Sequence, residues 1–333
     1  VANALAREAD VVIGVGTRYS DFTTASRTAF QHPGVRFVNL NVTAFDAAKH
    51  AGEVLVADAR AGLEALTEAL AGHRTSSTWD VSAWNRTVDE AFHLDHQPLP
   101  AQTEVLGALN EGMHATDVVV QAAGSMPGDL QMLWRARDAK QYHVEYAYSC
   151  MGYEIAGALG IKMAAPEREV FALVGDGSYL MMASELVTAV SEGIKLNVVI
   201  VQNHGFASIG ALSESVGSQR FGTSYRYRNP GTGLLDGGPL PVDLAANAAS
   251  LGADVIRVRT IEEFRAAITR SRASERTTAI HVETDPIAPV PDSGNWWDVP
   301  VAEVAQLDST AEARKAYEAH KPDQRPLIGG HPG

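Results

Sequence analysis

The sequence is short of cysteine, of basic charge and of long apolar runs. Its one cysteine, Cys150, excludes an intrachain disulfide and any metal centre built on several thiolates. Lys and Arg number 27 against 40 Asp and Glu, for a formal net charge of −13. Such a chain lacks the clustered positive charge that displaces counterions from nucleic-acid phosphates or binds an anionic lipid surface. No apolar run approaches the roughly 18 residues of a membrane-spanning helix. Nucleic acid and membrane are therefore not expected as partners, and the cytoplasm is the expected compartment. What is present is a 45% apolar, 20% charged chain of 333 residues, enough for cored domains, roughly two by length.

The first 72 residues alternate strand and helix. Asp10–Val15, Val35–Asn41 and Glu53–Val56 read as strands covered on both faces, and Ala59–Leu70 reads as a helix ending before Gly72. This is half of a doubly wound α/β domain. The opening residues read as the tail of a helix running straight into a strand, so the chain is expected to be the C-terminal part of something longer. Residues 73–100 read as a linker with a short helix around Trp79–Phe92. Residues 101–285 form a second alternating stretch, read as a parallel sheet with helices on both faces. Within it Tyr179–Glu192 reads as one helix, and 203–240 reads as a long loop. Residues 286–333 form a Pro-rich extension with a charged helix that wraps the surface.

The most informative stretch is Val174–Ser178, VGDGS, with Asn203 following Asp176 by 27 residues. The strand ends at Val174, so the GDG turn sits at the C-terminal edge, where open α/β sheets bind ligands. Gly175 and Gly177 let the backbone come close to a ligand. Ser178 is expected to open a helix whose free N–H groups favour phosphate. One helix and one strand later, Asn203 reaches the adjoining edge. A carboxylate and an amide oxygen beside a diphosphate make a good Mg²⁺ site. Gly14–Val15–Gly16 hints at a dinucleotide fingerprint, which fails because position 19 is Tyr and the next strand ends Asn39–Leu40–Asn41 without an acid.

The GDG-to-Asn pattern resembles the thiamine diphosphate enzymes. The resemblance implies that Asp176, Asn203 and the carbonyl of Gly205 hold Mg²⁺. The family often carries two Asn in a row, and here Gln202 takes the first place. Ser149–Gly160 (SCMGYEIAGALG) is similar to the acetolactate synthase-like members. It implies that Met151 wedges the cofactor into a bent shape and that the Ser149 carbonyl accepts from its amino group. Ala123, Gly124 and Ser125 are placed to touch the diphosphate. Cys150 is expected to be a small buried hydrophobe, and His143 a structural histidine. His204 is the one group here with a conceivable catalytic role.

Ser149–Gly160, Gly175–Met182, Gln202–Gly210, Phe221–Asn229, Leu240–Gly252 and the tail Trp296–Pro300 resemble the trihydroxycyclohexane-1,2-dione hydrolases of myo-inositol breakdown. That resemblance implies hydrolytic C–C cleavage of a cyclic polyol dione to 5-deoxy-glucuronic acid. Arg220, Tyr225, Arg226, Tyr227 and Arg228 are the expected contacts to the ring hydroxyls. It also implies a site shared between subunits, hence a homodimer or homotetramer, and an activating Glu on a domain preceding Val1. An acetolactate synthase-like carboligase or a 2-oxo acid decarboxylase would use the same residues. A non-catalytic assembly fragment is the alternative of another class.

Overall fold

Short runs rich in Val and Ile become parallel strands here because helices carry the chain back over the sheet between them. The computed structural model describes residues 2–74, 79–145 and 147–328. Residues 75–78, in the polar stretch read as the start of the linker, lie outside the described residues. So do the last five residues of the C-terminal extension. The chain forms two compact units, one of Val1–Trp84, Ser215–Ser218 and Asp292–Gly333, the other of Asn85–Glu214 and Gln219–Pro291.

The first unit holds three parallel strands in the order β1 (Val11–Val15), β2 (Arg36–Asn41) and β3 (Glu53–Val56). Val11 lies opposite Arg36, and Val38 opposite Glu53. Only β2 has a strand on each side among the described residues. Val11, Ile13, Val54, Leu55 and Val56 are exposed, unlike the covered strands expected from their composition. The core is small: Tyr19, Ala25, Ala29, Phe30 and Phe37. Asn39 is committed to structure, donating to Ala47 O at 2.9 Å and Lys49 O at 2.8 Å and accepting from Tyr19 Oη. A Cβ on Gly14 would lie 2.0 Å from Tyr19 Oη, so Tyr19 fills the space over the glycine turn.

The C-terminal segment does wrap the surface, and the surface is that of the first unit. Asp298 accepts from Tyr317 Oη at 2.7 Å and from Gln324 at 3.0 Å, while Arg325 N donates to Arg27 O at 3.0 Å. Its helix runs over Asp308–His320.

His50 is buried in this unit, stacked on Phe37 at 4.8 Å and edge-on to Tyr19 at 5.0 Å. Burial first, and then the charge of Arg325, hold its pKa down to about 4. The unfolded chain takes up this proton near pH 6.5 and the folded chain only near 4. Stability is therefore complete above 6.5 and lost as pH falls through this window, by on the order of 3 kcal/mol. Acid titration followed by hydrogen exchange in β2 should show that loss, and His50→Phe should flatten it. An unchanged acid limb in the variant would refute the assignment.

The second unit is a six-stranded, all-parallel sheet. Its strands are β4 (Val118–Gln121), β5 (Tyr142–Val144), β6 (Val170–Gly175), β7 (Asn197–Gln202), β8 (Asp254–Val258) and β9 (Thr278–Glu283), in the order β5-β4-β6-β7-β9-β8. Alternation along β6 and β7 feeds two cores. Phe171, Leu173, Val199 and Val201 pack on one face with helices Gln102–Gly112 and Ile261–Ala273, and Ala172, Val174, Val198 and Ile200 on the other with helix Tyr153–Ala164. Helix Ser82–Phe92 buries Val88, Ala91 and Phe92, and Phe92 lies where a Cβ on Gly107 would be. Much of the stretch read as a linker is thus packed structure.

Three expectations are corrected. Tyr179–Glu192 is two helices, Asp176–Met182 and Glu185–Ser191, because the chain breaks at Ala183–Ser184. The first of them opens at Asp176, with Gly175 as its cap, and not at Ser178. The 203–240 loop contains helix Ala207–Ser215.

Candidate functional site

From β4 the chain moves outward to β5 and then returns to the other side of β4 as β6. The gap between the C-terminal ends of β4 and β6 is therefore a topological switch point, where loops diverge and leave a crevice. A cavity of about 250 Å³ lies there. It is lined by residues from the β4 loop (Ala123, Gly124, Ser125), by Ser149 and Met151, by the turn Gly175–Ser178, and by Asn203 and Gly205 after β7. The loops expected to hold cofactor and metal thus converge on one cavity.

Asp176 is 1% exposed. Its Oδ2 accepts from Gly205 N at 2.9 Å, and burial pushes its pKa up to about 6 despite that bond. The Asn203 amide lies against Asp176 Oδ1 and the Gly205 carbonyl. With its nitrogen turned inward it donates to them at 3.2 and 3.0 Å. With its oxygen inward, the Asn203 oxygen faces the Asp176 carboxylate and the Gly205 carbonyl across the same two gaps. Cis ligands of an octahedral Mg²⁺, each about 2.1 Å from the ion, stand about 3 Å apart, so the donor set fits that cation in type and in spacing. A cation would also relieve the cost of ionising a buried carboxylate.

Gln202 stays out of this set. Its Nε2 donates to Val242 O at 3.0 Å, and its Oε1 lies 2.7 Å from His281 Nε2. A Cβ on Gly177 would come within 2.8 Å of Phe206 and 3.0 Å of Met151 Cε, so the Met151 methyl rests on the GDG turn. Both ring nitrogens of His204 are taken, by Gln202 at 3.1 Å and Glu283 at 3.2 Å. His143 pairs with Tyr153 Oη at 2.7 Å.

Arg220, Tyr225, Arg226, Tyr227 and Arg228 are not among the lining residues. Arg220 pairs with Glu214 at 2.8 Å, and Arg226 and Arg228 reach the carbonyls of Asp236 and Gly233. The Tyr225 hydroxyl is buried and has no hydrogen-bond partner among the described residues. Burial, and then the charge of Asp176, raise its pKa. Cys150 is exposed, contrary to expectation, and lies in a segment between β5 and helix Tyr153–Ala164 where its N–H donates to Glu145 at 2.8 Å.

Sequence reasoning missed Gln102, Met126, Phe206 and Ile209, which also line the cavity. Gln102 links Ser125 Oγ (3.1 Å) to buried Asp129 (2.6 Å), whose pKa burial pushes up to about 6. No local pattern marks a residue that reaches the site from 23 positions upstream of its partner Ser125. Larger clefts of about 460 and 550 Å³ lie elsewhere on this unit. In the first, His96 is already paired with Asp285, and Glu104 accepts from Asp95 N and Ala101 N. In the second, Arg168 is paired with Asp138.

Residues 122–282, which carry every cavity residue but Gln102, match the family model described as the thiamine pyrophosphate enzyme C-terminal TPP binding domain, and residues 1–66 match that of the central domain. The chain belongs to the thiamine pyrophosphate enzymes. It is 42% identical, over 94% of its length and 53% of the relative's, to 3D-(3,5/4)-trihydroxycyclohexane-1,2-dione hydrolase of Geobacillus thermodenitrificans. It is 39% identical, over 96% of its length and 54% of the relative's, to the enzyme named 3D-(3,5/4)-trihydroxycyclohexane-1,2-dione hydrolase 2 of Bacillus cereus. The chain spans about half the length of these curated relatives. In this member of the family, the switch-point cavity lies in the unit that carries the TPP-binding match. No helix among the described residues is long and apolar enough to cross a membrane.

Proposed function

We propose that the protein of which this chain forms part hydrolyses a C–C bond of a trihydroxycyclohexane-1,2-dione, using thiamine diphosphate and Mg²⁺ bound in the switch-point cavity. The observation that carries the cofactor reading is that the Asn203 amide stands 3.2 Å from Asp176 Oδ1 and 3.0 Å from the Gly205 carbonyl at the cavity wall. The substrate reading rests on 42% identity to a relative of that name across nearly the whole chain.

In this reading Asp176, Asn203 and Gly205 hold Mg²⁺, and Ala123–Ser125 and Gly175–Ser178 surround the diphosphate. Ser149 and Met151 hold the aminopyrimidine end. Bound thiamine diphosphate supplies a carbanion nucleophile and an electron sink for C–C cleavage. The chain's part is to fix the diphosphate and metal, to keep Met151 pressed on the turn at Gly177, and to exclude water around the buried Asp176. Arg220, Tyr225, Arg226 and Arg228 remain the proposed side chains toward substrate hydroxyls, with His204 beside the metal. The reading includes an activating Glu outside this chain, a homodimeric or homotetrameric assembly and a cytoplasmic location. Exposed Leu180, Met181, Ile209 and Phe221, of which Ile209 lines the cavity, support a shared site.

The test is to give the full-length protein of which this chain is proposed to form part a cyclic 1,2-dione or pyruvate with Mg²⁺ and thiamine diphosphate. Ring-opened acid from the dione, with no CO₂ from pyruvate, is expected. CO₂ release from pyruvate without consumption of the dione would assign a decarboxylase or carboligase instead.

A further inference from the structure

Gln102 lines the switch-point cavity from outside the 122–282 match, and its amide is held at both ends. Its Nε2 donates to Asp129 Oδ2 at 2.6 Å, and its Oε1 accepts from Ser125 Oγ at 3.1 Å. An ionised carboxylate can only accept, so it takes the nitrogen and leaves the oxygen to the hydroxyl. Asp129 is 6% exposed and has no ion pair among the described residues. Ser125 and Asp129 stand about one turn apart on helix Ser125–Leu133, whose first residues belong to the cavity wall.

That helix is poorly fixed by its own sequence. Gly124 precedes it at φ +111° with no side-chain cap, and Gly128 disfavours the helix by about 1 kcal/mol relative to Ala. The start of helix Gln102–Gly112 is firmly held. Glu104 accepts from Ala101 N at 2.9 Å and from Asp95 N at 2.7 Å. Gln102 is thus the first residue of an anchored helix, and it bonds the first and fifth residues of one that lacks an anchor.

We infer that Gln102 is a positioning residue that acts through Ser125 and sets the start of helix Ser125–Leu133 at the diphosphate end of the cavity. This rests on the thiamine diphosphate reading and adds to it a residue beyond the TPP-binding match. The N–H groups of a helix start favour phosphate oxygens most when they already face them, because ordering them on binding subtracts from affinity. The Ser125 hydroxyl gives its proton to Gln102, so what the tie secures for a phosphate is the backbone at 124–126. A charged acceptor strengthens the bond from Gln102 and fixes which end of the amide meets Ser125. A buried acid in the wall of an anion site is otherwise unfavourable, and burial does push the Asp129 pKa up to about 6. The amide that it holds accounts for its place there.

The test compares wild type, Gln102→Ala and Gln102→Glu in the full-length protein. Calorimetry reads the binding of thiamine diphosphate and of inorganic pyrophosphate, each at saturating Mg²⁺. Gln102→Ala should weaken both ligands by the same factor, about tenfold, as expected for losing a tie made by a charge-assisted hydrogen bond. Gln102→Glu keeps the shape, so it remains informative where the alanine variant fails to fold. Its carboxyl would face that of Asp129, and the two can share one proton because both charges cannot form together at that distance. While the proton stays, the pair is joined and the second Glu oxygen accepts from Ser125. Once it leaves, the two charges repel. Taken as a ratio to wild type at each pH, pyrophosphate binding by Gln102→Glu should lie within about threefold near pH 6 and drop to the alanine level by about pH 8.5.

An alanine variant within twofold of wild type overturns the proposal, as does a Glu variant no better than alanine near pH 6. A loss confined to thiamine diphosphate also overturns it, since Gln102 would then act at the other end of the cofactor. A Glu variant that does not fall by about pH 8.5 removes the part given to Asp129. A wild type that takes up pyrophosphate but not thiamine diphosphate refutes the cofactor reading, and the comparison at Gln102 is then decided on pyrophosphate. A wild type that takes up neither refutes both.

Discussion

Asp176→Ala is expected to abolish Mg²⁺-dependent binding of thiamine diphosphate, a loss of at least about 100-fold, while leaving the cofactor-free fold intact. The variant removes the only charged member of the oxygen cluster. The two neutral oxygens left, on Asn203 and Gly205, cannot draw a strongly hydrated divalent ion out of water by themselves. The effect on the fold runs the other way. Asp176 is buried, and its pKa is pushed up to about 6, so above that pH its ionised form is a cost to the metal-free protein. Losing that cost offsets the loss of its bond from Gly205 N, worth about 1 kcal/mol. Thermal melting with and without Mg²⁺ and cofactor separates the two. The metal-free midpoint should stay level or rise, and the ligand-induced rise of the wild type should vanish. A variant that still melts higher with Mg²⁺ and cofactor would show that the metal is held elsewhere.

The second large effect belongs to a residue with no side chain. A Cβ on Gly205 would stand 2.1 Å from the Thr223 carbonyl oxygen and 2.9 Å from Ser224 Cα. Both obstacles are backbone. The Thr223 oxygen is itself fixed, accepting from Phe206 N at 2.7 Å, and Gly205 bridges to Ser224. The strand-like pair must therefore open, carrying the Gly205 carbonyl away from Asp176 and Asn203. Gly205→Ala should cost about 2–4 kcal/mol of stability and weaken Mg²⁺-dependent cofactor binding by at least tenfold. Gly128→Ala is the matched control. Gly128 lies in helix Ser125–Leu133 with nothing within 4 Å of an added Cβ, so the change should stabilise by roughly 0.5–1 kcal/mol. Equal melting temperatures for the two variants would refute the steric account.

The parts of this site that the sequence disclosed are those set by chain order. A strand ending at a GDG turn, then helix, then a strand ending at Asn203, most often places the two strands side by side, and β6 and β7 do pair that way. The strand runs were legible for the same reason. Helix Ser125–Leu133 was not, because Pro127 and Gly128 in its first turn read as loop residues. Helix Ala207–Ser215 was hidden by its small and polar residues. The break at Ala183–Ser184 was masked by Leu180, Met181 and Met182, which continue a helical pattern although they are exposed. The exposure of Cys150 and the buried tip of Tyr225 depend on how loops fold back, for which one sequence carries no periodic signal.

The three-stranded sheet of the first unit bears on how the chain behaves in a test tube. β1 and β3 each offer an unpaired row of N–H and C=O groups among the described residues, beside exposed Val11, Ile13, Val54, Leu55 and Val56. Such edges are templates for strand addition, and nothing in them depends on cofactor. Two kinds of association would then coexist in a concentrated sample. Edge-to-edge growth would be open-ended, would rise with concentration and would ignore Mg²⁺ and thiamine diphosphate. Pairing around the cavity would stop at a fixed stoichiometry and tighten as the ligands are added. A sizing experiment on this chain acquires meaning only as a difference, run with and without the ligands at several dilutions.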